Sequence, residues 1–180
     1  MKASALSEIK QELSDLPPKK ILELCLQLAR YKKDNKELLT YLLFESHDVD
    51  GFVQRVRQEI DEYFTQVPKA PYQQKKFLRK ILRLITKYSR YTGKGEPAIE
   101  MLLHFCITLK SSEISLRRNA AILKLYEQQL KKIAAMLEDI HEDLHYDYKK
   151  KLEELNSISD NNVSTLSFLL KKIKGVKRSI

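Results

Sequence analysis

The sequence predicts an all-α fold in which about seven to nine helices form an irregular repeat. Three observations carry that expectation. Only 4 glycines and 5 prolines occur in 180 residues, too few for the many turns of an all-β chain. Leu, Lys, Glu, Ile and Arg dominate, and most of these are good helix formers. Apolar residues recur at helical spacing in successive blocks, and Pro, Gly, Asp or Asn stand between the blocks.

The first helix is expected from about Ser4 to Ser14, with Leu6, Ile9 and Leu13 on one face. Pro17 and Pro18 then open a second, since proline fits the first turn of a helix. Through about Lys33 it carries Ile21, Leu22, Leu24, Cys25, Leu26, Leu28 and Ala29. That is apolar nearly all round, so cover on several sides is expected. Asp34 and Glu37 resemble a capping box that starts a third helix bearing Leu38, Leu39, Leu42, Leu43 and Phe44.

A fourth helix follows His47–Gly51 and holds Phe52, Val56, Ile60, Tyr63 and Phe64. Pro68 and Pro71 bracket a break before a fifth, from about Tyr72 to Tyr91, which Gly93-Lys94-Gly95 ends. Pro97 lies in the first turn of the sixth, where Ile99, Met101, Leu102, Leu103, Phe105, Cys106, Ile107 and Leu109 read as buried. A long helical pattern runs on from about Glu113 through Leu137, Ile140 and Leu144, with a break near His145–Asp147. Ser157–Asn162 is a turn ahead of an amphipathic segment and a basic tail, over 158–180.

Ile21, Leu24, Leu28 and Tyr31 share their spacing with Leu78, Ile81, Ile85 and Tyr88. Two three-helix units, about 17–67 and 72–137, would then stack in one domain over 1–157. Such a body is an α-solenoid-like superhelix of the armadillo or HEAT kind.

The stretches Leu6-Ser-Glu-Ile-Lys-Gln-Glu-Leu13, Leu16-Pro-Pro-Lys-Lys-Ile-Leu-Glu-Leu24 and Tyr31-Lys-Lys-Asp-Asn-Lys-Glu-Leu38 resemble an uncharacterised bacterial all-helical family, the domain of unknown function 6155. The lysine-rich fifth helix and the apolar sixth extend the likeness over about the first 150 residues, through pattern rather than a rare motif. The resemblance implies a fold and a bacterial source, and no activity.

Net charge is +9, and it is unevenly placed. Residues 1–62 balance to −2 and 96–160 to −3, whereas 63–95 hold 9 basic residues and no acid, and 161–180 hold 5 basic and none acidic. On the fifth helix Lys76, Lys80, Arg83, Lys87 and Arg90 fall within about 80° of arc, with Arg79 beside them. Phe77, Ile81, Leu84, Ile85 and Tyr88 take the opposite side. No carboxylate on that helix can neutralise the cations through i,i+4 pairs. Lys76, Arg79, Lys80, Arg83, Lys87 and Arg90 are therefore the candidate polyanion-binding residues, and Tyr72 and Tyr91 could add stacking at the helix ends. The competing expectation is that acidic helices around Asp48–Glu62 or Glu138–Asp147 neutralise the stripe.

His141-Glu142-Asp143-Leu144-His145 matches the H-E-x-x-H string, in which two histidines four apart on a helix hold zinc and the glutamate activates water. The extended motif needs a glycine and a third histidine, where this chain has Tyr148 and Lys151. His141 and His145 are thus weak metal candidates, and no catalytic residue, metal or cofactor is expected. Cys25 and Cys106 lie in apolar runs and read as small core hydrophobes rather than a disulfide pair. Met1–Glu8 lacks the apolar stretch of a secretory signal, and no segment approaches the ~20 apolar residues of a membrane span. The expectation is a non-enzymatic, cytoplasmic binding scaffold for a protein partner, with nucleic acid as the alternative, a zinc-dependent hydrolase on His141-Glu142-x-x-His145 as the remote one, and no membrane contact.

Overall fold

A computed structural model describes residues 2–116 and 118–157, so the amphipathic segment and basic tail expected over 158–180 lie outside the described residues. Among the described residues the chain is all-helical and has no strand. The helices are α1 (Leu6–Ser14), α2 (Pro18–Tyr31), α3 (Lys33–Thr40), α4 (Val49–Thr65), α5 (Pro71–Thr92), α6 (Gly95–Ser111), α7 (Ala120–Leu137) and α8 (Glu142–Ser157). A π-helical turn, Tyr41–Glu45, prolongs α3. No described helix is long and apolar enough to cross a membrane.

The chain divides into two compact units at His47 and Asp48. The boundary falls inside the first expected triplet, with α2 and α3 in one unit and α4 in the other.

In the N-terminal unit the Glu8 carboxylate reaches back to the Ala5 N–H (3.1 Å) at the start of α1. Pro18 occupies the first turn of α2, where a missing N–H costs nothing. Extended backbone at Lys32 ends α2, and the Asn35 amide then donates to the Leu28 carbonyl (2.9 Å), tying α3 to the last turn of α2. The expected capping box does not form. α3 starts at Lys33, so Asp34 falls inside its first turn, where a carboxylate still complements the helix dipole.

The expected cover of α2 is incomplete, since none of its residues is buried and only Ile21, Leu24, Cys25 and Ala29 are half-buried. In the π turn Ser46 N–H donates to Tyr41 C=O (2.8 Å), five residues back. Tyr41 is buried, while Leu42, Leu43 and Phe44 are exposed.

The C-terminal unit is built around α6. Nine of its residues, Pro97, Ala98, Ile99, Met101, Leu102, Leu103, Phe105, Cys106 and Leu109, are buried, so apolar side chains meet neighbours on most sides. Around it lie Phe52, Val53, Val56 and Ile60 of α4, Leu78, Ile81 and Ile85 of α5, six apolar residues of α7, and Tyr148, Leu152 and Leu155 of α8. Contacts fix the directions. Phe52 meets Tyr88 (5.6 Å between ring centres) and Tyr63 meets Phe77 (6.2 Å), so α4 and α5 run antiparallel. Arg57 pairs with Glu100 and Asp61 with His104, at a constant offset, so α4 and α6 run parallel.

Local chemistry sets the ends of these helices. The Asp48 carboxylate caps α4 by accepting from Gly51 N–H (2.9 Å), and a Cβ on Gly51 would collide with that carboxylate. Gly93 ends α5 in the left-handed region, φ 64°, which glycine enters without penalty. The Asn119 side chain accepts from Ala121 and Ile122 N–H (3.2 and 3.3 Å) and starts α7 seven residues later than expected. The expected break near His145–Asp147 lies earlier. α7 tightens into three-residue bonds, Glu138 N to Ala135 O and Asp139 N to Met136 O (both 3.2 Å), and α8 begins at Glu142.

Both cysteines are free. Cys106 is buried, while Cys25 is half-buried in a unit with little core. Burial pushes the Cys106 thiol up from its usual 9.0 and the Tyr126 phenol up from 10.0. The folded state keeps these protons where the unfolded state loses them. Their contribution to stability is therefore complete below pH 9.0 and declines as pH rises above it. Denaturation midpoints should fall between pH 8 and 11, less so in Cys106→Ala when referenced to its own pH 8 value. A thiol reagent should label Cys25 in the native protein and Cys106 only after unfolding.

Candidate functional site

The lysines and arginines of α5 are set by the residues behind them. Leu78, Ile81 and Ile85 are fully enclosed, with Phe77, Leu84 and Tyr88 half-buried beside them, so the opposite face turns to water. Lys76, Arg79, Lys80, Arg83 and Arg90 are exposed on that face, and Lys87 is half-buried with its ammonium 5.0 Å above the Tyr88 ring. Lys80 lies 4.9 Å over the ring of Tyr63, contributed by α4.

No ion pair among the described residues involves Lys76, Arg79, Lys80, Arg83 or Arg90. The expected neutralisation by α4 does not reach these five. Of the two end tyrosines, Tyr72 is 80% exposed, whereas Tyr91 is half-buried and packs on Tyr88 (5.7 Å).

One carboxylate of α4, Asp61, turns to α6 rather than to the stripe. Glu100, His104 and Thr108 stand four apart on one face of α6, opposite Arg57 and Asp61, four apart on α4. Glu100 accepts from Arg57 and from Lys151 of α8, and Asp61 accepts from His104 Nε2 (2.7 Å) and the Thr108 hydroxyl (3.3 Å). The Lys110 ammonium donates to the Leu155 carbonyl at the end of α8, and burial lowers its pKa. Periodicity marks the four-residue rows on each helix, but only the packing reveals that they face each other.

A groove of about 740 Å³ lies beside Asp61, Phe64, Gln74, Thr108 and Ser111. Asp61, Thr108 and His104 are the residue types of a nucleophile relay, but not in its arrangement. In that relay the hydroxyl donates to the imidazole, whereas Thr108 donates to the Asp61 carboxylate.

The weak metal candidates His141 and His145 stand at the start of α8: His141 precedes its first residue, and the His141 carbonyl accepts the Leu144 N–H (3.1 Å). His145 sits in the first turn, with Nε2 bonded to the Ile140 carbonyl (3.2 Å). Among the described residues no three His, Cys, Asp or Glu side chains converge as a metal site.

Glu100→Ala should destabilise the protein by about 3 kcal/mol in chemical denaturation, because it strands the half-buried Arg57. The double variant Arg57→Met, Glu100→Leu should recover most of that loss. Protein purified without a histidine tag should contain no stoichiometric zinc by elemental analysis, and His141→Ala should not change its metal content. Compared with known proteins, the chain matches no family model, no curated protein and no solved structure.

Proposed function

We propose that this chain is a non-catalytic, cytoplasmic helical-repeat scaffold whose N-terminal helices receive an amphipathic helix of a partner protein. The observation that supports this reading is a difference between two helices of equal spacing. Leu78, Ile81 and Ile85 of α5 are enclosed, but of the equivalent α2 residues Ile21 and Leu24 are only half-buried and Leu28 is 60% exposed. Tyr31, the counterpart of Tyr88, is 77% exposed.

Leu42, Leu43 and Phe44 are exposed in the same unit, where among the described residues only Tyr41 is buried. A segment of 47 residues is too small to supply a full core from its own side chains. Apolar surface of this density on so short a segment is characteristic of a binding face. A partner helix with apolar residues at i, i+3, i+4 and i+7 would cover α2 as α6 covers α5. Lys19, Arg30 and Lys32 are exposed along α2 and its end, so the partner helix is acidic at its margins. The two free thiols agree with a reducing compartment.

A displayed library of amphipathic helical peptides, screened against the full chain, tests the reading. Enriched peptides should carry acidic margins, and Leu28→Asp with Tyr31→Asp should weaken them at least tenfold, while Lys80→Glu leaves them unchanged. No enrichment, or binding indifferent to the α2 substitutions, would contradict it. So would a stable dimer in light scattering that those substitutions dissolve, since α2 would then already be covered by a second copy.

A further inference from the structure

We infer that the exposed face of α5 binds the sugar-phosphate backbone of a nucleic-acid duplex without regard to sequence. This rests on α5 alone and is independent of the partner site on α2. From Lys76 to Arg90 the cations form a straight row about 21 Å long, at 1.5 Å per residue. A duplex presents one phosphate per ~3.4 Å of axis on each strand, so a row of that length spans about six on each, of which the winding of the strands leaves only some facing it. The row is preorganised, because Leu78, Ile81 and Ile85 fix α5 in the core and the Tyr63 ring supports Lys80 from behind. Lys76, Arg79, Lys80, Arg83 and Arg90 form no ion pair with the described residues, so phosphate contact breaks no salt bridge among them.

Other anionic partners fit this face less well. An interfacial helix enters a membrane with its apolar side, and that side of α5 is inside the protein. An acidic protein would need an apolar anchor among the charges, and the row contains none. Single strands are held by aromatic platforms along a basic groove. Here Tyr63 is covered by Lys80, and Tyr88 and Tyr91 pack on each other, which leaves Tyr72 at one end.

Fluorescence anisotropy with the full chain tests this directly. The probes are 20-base-pair DNA and RNA duplexes of random sequence, a single strand of equal length, and vesicles with anionic headgroups. Duplex binding should be independent of sequence, with log Kd rising against log salt at a slope of at most about 4.5, for up to about five released counterions. Lys80→Glu with Arg83→Glu should weaken binding at least tenfold at low salt, with an unchanged circular-dichroism melt. Lys124→Glu with Lys131→Glu, the same charge change on exposed positions of α7, should weaken it less than threefold. Absence of duplex binding at low salt overturns the inference. Equal losses from the α5 and α7 reversals also overturn it, since net charge rather than the row would then be responsible. Preference for the single strand, or for vesicles over both duplexes, overturns it in favour of those ligands. The ratio of DNA to RNA affinity identifies which duplex is the ligand.

Discussion

The enclosure of α6 is the constraint from which the rest of the C-terminal unit follows. A helix with Ile99, Met101, Leu102, Leu103, Phe105, Cys106 and Leu109 buried cannot be covered by one neighbour, so α4, α5, α7 and α8 surround it. Its one polar row, Glu100, His104 and Thr108, must then face groups that satisfy it. Arg57 and Asp61 do so, and their match fixes the register of α4 against α6. The register of α4 in turn sets α5 through the Phe52–Tyr88 and Tyr63–Phe77 contacts. With α5 held in that rotation, its charged face can only point to water. The basic row is thus a consequence of core packing several contacts away.

The N-terminal unit lacks such an anchor. α2 carries nearly as much apolar surface as a core helix, but only a short neighbour accompanies it, and the π turn after α3 leaves Leu42, Leu43 and Phe44 exposed. Helices of this length gain little from propensity alone and depend on tertiary cover. The two units thus put opposite chemistries at their surfaces, apolar in one and cationic in the other.

Much of this organisation was legible in the residues, and the failures have physical causes. Helix existence followed from spacing and from the scarcity of Gly and Pro, and most of the core of α6 was readable because it is apolar on nearly every face, although Ile107, expected buried, is half-buried and Pro97 and Ala98 join the core. The orientation of α5 was legible for the same reason, since charge and apolarity segregate cleanly on it. Helix boundaries were less so. Asp34–Glu37 has the composition of a capping box, but the chain turns at Lys32, and a cap depends on backbone angles that composition does not encode. The H-E-x-x-H string assumed a continuous helix through His141, and the tightened end of α7 removes that assumption. Cover of α2 was inferred from its hydrophobicity, although hydrophobicity states a need for burial and not that the same chain meets it. The Arg57–Glu100–Lys151 and Asp61–His104 pairs join residues 43 or more apart in sequence, and no local pattern announces such a meeting.

Hydrogen–deuterium exchange on the full, unliganded chain measures the contrast between an enclosed α6 and an uncovered α2 most directly. Amides of α6 should exchange only with global unfolding, and those of α2 and α3 by local opening at least a hundredfold faster. Equal protection of α2 and α6 would contradict the account, because α2 would then already possess the cover that its exposed leucines lack.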